Sequence, residues 1–122
     1  MTPSARHLLP VLAAVLALLP GCVFRPEERT IRIQVPGMRS PACAKALEAK
    51  LNSTYKRQTV SYITRVQADP AAGTVVITYN PNTVATLNLL HTIGETGFDA
   101  TFEGHSVKGD PAGRIKLPPE CR

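Results

Sequence analysis

The sequence predicts one α+β domain between Thr30 and Gly104, in the order β-α-β-β-α-β. Three runs carry that reading. Ile31, Ile33 and Val35 alternate with Arg32 and Gln34, the period of a half-buried strand. Thr74 to Tyr79 reads Thr-Val-Val-Ile-Thr-Tyr, a β-branched run ending in an aromatic residue. Val84, Leu87, Leu90, His91, Ile93 and Gly94 recur at helical spacing.

The elements follow in chain order. Thr30 to Val35 is the first strand, and Pro36-Gly37 ends it. Ser40-Pro41 has the form of a helix start, with Ser at the cap and Pro in the first helical position. The helix runs from Ala42 to about Asn52, with Cys43, Ala46, Leu47 and Leu51 on one face. Cys43 falls in its first turn, where free N–H groups and the helix dipole favour a thiolate. The second strand is best defined from Ile63 to Ala68. Asp69-Pro70-Ala71-Ala72-Gly73 is a hairpin loop, with Gly73 suited to positive φ. After the third strand, Thr74 to Tyr79, Asn82 or Thr83 caps a second helix that Gly97 ends. Phe98 to Gly104 alternates as a last strand. This order is the ferredoxin-like, split βαβ arrangement: two helices on one face of a four-stranded antiparallel sheet.

The flanks read differently. Eleven of the 122 residues are proline, most of them towards the ends. Arg6 and His7 precede an apolar run from Leu8 to Leu19, too short to span a ~30 Å hydrocarbon core and suited to a signal peptide. It ends in Leu19-Pro20-Gly21-Cys22, similar to a bacterial lipoprotein box. The expected organisation is a signal over 1–21, a tether over 22–29, the domain over 30–104 and an extended tail over 105–122. Cys22 is then the lipidated residue, and the protein is expected at the cell envelope, held to a membrane and facing the periplasm or exterior. An ordinary cleaved signal peptide is the alternative. With Cys22 acylated, Cys43 and Cys121 are left. In an oxidising compartment they can pair with each other, but sequence sets no distance between them.

Composition narrows the function classes. There are 14 Lys and Arg, 13 once Arg6 leaves with the signal, against 9 Asp and Glu, with no basic run of five. That is a solvated surface and not a nucleic-acid footprint. No phosphate loop and no catalytic constellation is present, so an enzyme is not expected. A thiol oxidoreductase would lack a resolving cysteine at close spacing.

The stretch Val35 to Ala46 resembles the metal loop of heavy-metal-associated domains, the modules of copper chaperones and mercuric-ion binding proteins. In that family the loop reads Gly-Met-x-Cys-x-x-Cys. Gly37, Met38 and Cys43 match, and Ser40 stands where the first cysteine would be. Three further features are similar to the family: Val66-Gln67-Ala68-Asp69 with Gly73 to Tyr79, the Asn80-Pro81 start of the second helix, and Ile93-Gly94-Glu95-Thr96-Gly97-Phe98-Asp99-Ala100. The segment between Leu51 and Ile63 is longer than usual for the family.

The resemblance implies a soft metal, Cu(I) foremost, because two thiolates suit its low coordination number. It also implies a donor or acceptor protein for that metal. Gly37, Met38 and Phe98 support the loop in this reading, with Met38 packed in the core below it. A serine hydroxyl is hard and stays protonated, so Cys43 is left as a single loop thiolate. A second donor must come from another molecule, a small thiol, a partner, or Cys121 on the tail. His91 and His105 are read as ordinary histidines. The alternative function is a metal-free interaction module on the same fold.

Overall fold

A computed structural model describes residues 27–55 and 62–122. Cys22 and the signal stretch lie outside the described residues, as do most of the extra residues before Ile63. The elements are β1 (Arg29–Gln34), α1 (Pro41–Tyr55), β2 (Ile63–Asp69), β3 (Thr74–Tyr79), α2 (Thr86–Thr96), β4 (Ala100–Phe102), β5 (His105–Val107), α3 (Pro111–Ile115) and a 3-10 turn (Pro119–Cys121). The strands form one sheet in the order β2-β3-β1-β4-β5. Each neighbouring pair is antiparallel. The helices α1 and α2 lie on one side of it, the α+β arrangement expected.

Hydrophobic patterning explains how the layers meet. Ile33 and Val35 are fully buried while Arg32 and Gln34 are exposed. From β3 the sheet adds Val75, Ile77 and Tyr79. Facing them, α1 contributes Ala44, Leu47 and Leu51, and α2 contributes Leu89, Leu90 and Ile93. Polar groups close the seams. The Ala68 N–H of edge strand β2 donates to Glu48 Oε1 of α1 at 2.8 Å. Tyr55 reaches from the end of α1 to α2, its hydroxyl donating to the Asn88 carbonyl oxygen (3.0 Å) and lying 2.7 Å from Thr92 Oγ1. Burial pushes the Tyr55 phenol above its ordinary range.

Boundaries shift for local reasons. The first helix continues to Tyr55, one turn beyond Asn52, since the Ser53 and Thr54 hydroxyls donate back to the Lys50 carbonyl and do not break it. Asn80-Pro81-Asn82 makes a turn of its own, with Asn80 Oδ1 accepting from the Asn82 N–H at 2.9 Å. The second helix therefore starts at Thr86.

The largest correction concerns the C-terminal stretch. It is not an extended tail, and the sheet has five strands, not four. The last strand stops at Phe102 and turns through Glu103 and Gly104, both at positive φ, into β5. Asp110 then caps α3 through the Ala112 N–H (3.0 Å), with Pro111 in the first helical position. The segment seats on the end of α2 at glycines. Gly97, at φ 110°, closes α2 with its N–H on the Gly94 carbonyl and the Phe98 N–H on the Ile93 carbonyl. A Cβ there would stand 2.5 Å from the Arg114 nitrogen, and one on Gly113 would collide with the Glu95 carbonyl oxygen. The Asp110 N–H donates to the Gly94 carbonyl at 2.8 Å, and the Gly109 N–H to Asp99 Oδ1 at 2.7 Å.

Candidate metal and thiol site

The candidate site lies where β1 passes into α1. The Val35 N–H donates to the Gly73 carbonyl (2.7 Å), and the Met38 N–H turns back to the Val35 carbonyl (3.3 Å). The first of these bonds ties the loop to the β2–β3 hairpin, and the second closes the loop's own turn. Met38 is 2% exposed, so its thioether belongs to the core. Gly37 stacks beside Phe98: a Cβ on it would lie 3.4 Å from Phe98 Cδ1.

Ser40 caps α1. Its Oγ accepts from the Cys43 N–H at 3.4 Å, and its carbonyl accepts from the Ala44 N–H at 3.2 Å. Ser40 Oγ also lies 3.3 Å from Cys43 Sγ.

Cys43 is not a lone thiol. It is bonded to Cys121, with sulfurs 2.05 Å apart and Cα atoms 5.6 Å apart, inside the ordinary range for a disulfide. A disulfide sulfur carries no proton, so the Ser40 hydroxyl is the donor in its contact with Cys43. The single loop thiolate expected from the sequence therefore gives way to a bonded pair. Cys121 arrives from 78 residues away. Its 3-10 turn is fixed by its own N–H on the Pro118 carbonyl (2.9 Å), by Arg122 Nε on the Leu117 carbonyl (3.2 Å) and by buried Leu117. Cys43 is fully buried and Cys121 is 7% exposed.

His91 and His105 are exposed on α2 and β5 and stand apart from this site. Among the described residues no group of three or more His, Cys, Asp or Glu could hold a metal ion. In the disulfide state the two sulfurs are consumed by each other and do not fit a metal. As a dithiol the pair supplies two soft donors beside the cap of α1, which fits a low-coordinate soft ion.

The sequence reading missed the docking of residues 105–122. One signal was present: Asp110-Pro111 has the same cap-and-proline form as Ser40-Pro41.

No protein-family model matches the chain, and no curated protein matches it. Solved structures do. A candidate copper-ion-binding protein from Bacillus anthracis is 22% identical with a TM-score of 0.54, over 63% of this chain and 100% of its own. Oxidized MerP from Ralstonia metallidurans is 17% identical with a TM-score of 0.53, over 63% and 99%. The ZiaAN sub mutant is 25% identical with a TM-score of 0.50, over 62% and 97%. At these identities the likeness is one of fold: the chain carries, on somewhat under two thirds of its length, the ferredoxin-like fold that makes up nearly the whole of each of these proteins.

Proposed function

We propose that this chain is a cell-envelope carrier of a soft metal ion, Cu(I) foremost, which it takes up between Cys43 and Cys121 when that pair is reduced. The observation that carries the reading is the meeting of the two cysteines at the loop. Ser40 occupies the position of the loop's first cysteine, and Cys121 brings a second sulfur to the same place. Two thiolates can bind Cu(I) nearly in line. Cys43 sits at the third position of a 15-residue helix, where the dipole and the free N–H groups favour its anion. The fold shared with a candidate copper-ion-binding protein and with MerP supports the same reading. Oxidation closes the pair, and a donor or acceptor protein would exchange metal with it in the open state.

Anaerobic titration with Cu(I) against a competing chelator tests this. The pre-reduced wild type is expected to take about one equivalent. Cys43→Ser and Cys121→Ser are each expected to lose competition with the chelator. A reduced wild type that binds no better than either variant would sink the proposal. It would favour a metal-free interaction module with the disulfide as a permanent staple, a reading to which the burial of both cysteines lends weight.

The envelope location rests on Leu19-Pro20-Gly21-Cys22. Acylation at Cys22 by two or more chains would hold the domain stably, at about 0.8 kcal/mol per buried methylene. Cys22→Ala is expected to abolish lipid labelling and membrane retention. Labelling that survives the substitution would place the anchor elsewhere.

A further inference from the structure

Beside the disulfide lies a cleft of about 290 Å³ whose walls include Arg39, Arg114 and Arg122, together with Phe98, Asp99 and Cys121. The three arginines come from separate places: the loop before α1, α3, and the residue after the 3-10 turn. All three are exposed. Two are aimed by their own Nε atoms. Arg114 Nε donates to the Gly97 carbonyl at 3.3 Å, and Arg122 Nε donates to the Leu117 carbonyl at 3.2 Å. Among the described residues the terminal nitrogens of both guanidiniums have no partner, which leaves them for a ligand in the fork that matches a carboxylate. Asp99 is the one acidic side chain on the walls, and its Oδ1 already accepts from the Gly109 N–H. The lining side chains sum to a net charge of two positive, or one if Arg122 ends in a free carboxylate.

The cleft is at the low end of small-molecule sites in volume. Cys121 is on its wall, while Cys43 lies beneath with no exposure. We propose that this cleft seats a low-molecular-weight thiol bearing carboxylates, and that such a thiol opens the disulfide by attack on Cys121. The thiolate forms a new S–S bond to Cys121 Sγ, and the Cys121–Cys43 bond breaks. Cys43 leaves as a thiolate, stabilised by the Ser40 hydroxyl at 3.3 Å and by the start of α1. A second small thiol attacks the mixed disulfide. The products are the protein dithiol and the small thiol's own disulfide, so the protein gains two electrons and the two small thiols lose them. The inference concerns how the pair is opened and does not need the metal reading. A failed Cu(I) titration would leave it standing.

The test uses the full-length oxidised chain with two probes of one scaffold, glutathione and its diethyl ester, with rates expressed per thiolate and corrected for the dependence of nucleophilicity on thiol pKa. At low ionic strength glutathione is expected to reduce the protein about 10-fold faster than the ester, and added salt should compress the ratio. Arg39→Gln with Arg122→Gln, which leaves the Arg114 fork, should lower it most of the way towards one, and Arg39→Gln alone should lower it less. Quenching with an alkylating agent early in the reaction is expected to give a peptide carrying glutathione on Cys121 and an alkyl group on Cys43. Equal rates for the two probes in wild type, a ratio unchanged in the arginine variants, or glutathione found on Cys43 would each overturn the proposal.

Discussion

Reducing the Cys43–Cys121 bond, or replacing Cys121 by Ser, is expected to lower unfolding stability by about 2–4 kcal/mol. The bond closes a loop with a sequence separation of 78. Chain-entropy arithmetic for that length gives about 4.5 kcal/mol, and measured disulfides usually deliver less. Apolar contacts of the C-terminal segment do not replace it. The described part of the C-terminal segment offers little apolar anchoring beyond Val107, Leu117 and Cys121 itself, and α3 buries no side chain. Guanidinium titrations with and without reductant read the effect directly. The midpoint should fall on reduction, and the slope should rise because the unlinked unfolded chain exposes more surface. Coincident curves would mean that the bond adds nothing to the folded state. Cys43→Ser is expected to cost more than Cys121→Ser. It places a hydroxyl at a fully buried position, and the Ser40 hydroxyl, 3.3 Å from that atom, offsets only part of the desolvation.

Gly113→Ala is expected to weaken the seat of the C-terminal segment by about 1–3 kcal/mol. The new methyl would collide with the Glu95 carbonyl oxygen, which is helix backbone and cannot turn aside. Gly97→Ala meets the opposing wall of the same contact at the Arg114 backbone, with the added strain of φ 110°. The readout is the thiol–disulfide equilibrium. Seating holds Cys121 next to Cys43, so each ~1.4 kcal/mol lost lowers their effective concentration about tenfold. A loss near 2 kcal/mol should make the disulfide about 30-fold easier to reduce in a glutathione redox buffer. Lys116→Ala, exposed on the same segment, should leave that equilibrium unchanged. If Gly113→Ala matched it, the glycine contacts would not be what delivers Cys121.

Most of the fold was legible because period and punctuation agree along residues 30–102. Ile31, Ile33 and Val35 could face only one way, and Gly97 could end a helix at positive φ where other residues resist it. Phe98 was legible by its alternation, whereas Met38 was legible as core only through the family resemblance of its loop. The pairing of Cys43 was not. Its partner is 78 residues distant. The contact depends on backbone meeting backbone at Gly97, Gly109 and Gly113, which leaves no hydrophobic pattern to read. The stretch 105–122 has three-residue and five-residue elements, too short to display a period. The arginine cleft was hidden for a related reason, since its three guanidiniums come from positions 39, 114 and 122.

The central strand also sets a direction. The described chain enters the domain at Glu27, and β1 carries it six residues to Gln34, just before the loop and the disulfide. At roughly 3.3 Å per residue that is about 20 Å along the strand. Whatever holds the chain ahead of Glu27 therefore takes it at one pole of the sheet, and the sulfurs and guanidiniums crown the other. A segment that leaves the domain at Glu27 and a molecule that visits the disulfide would therefore act at opposite poles of the sheet, and neither would crowd the other.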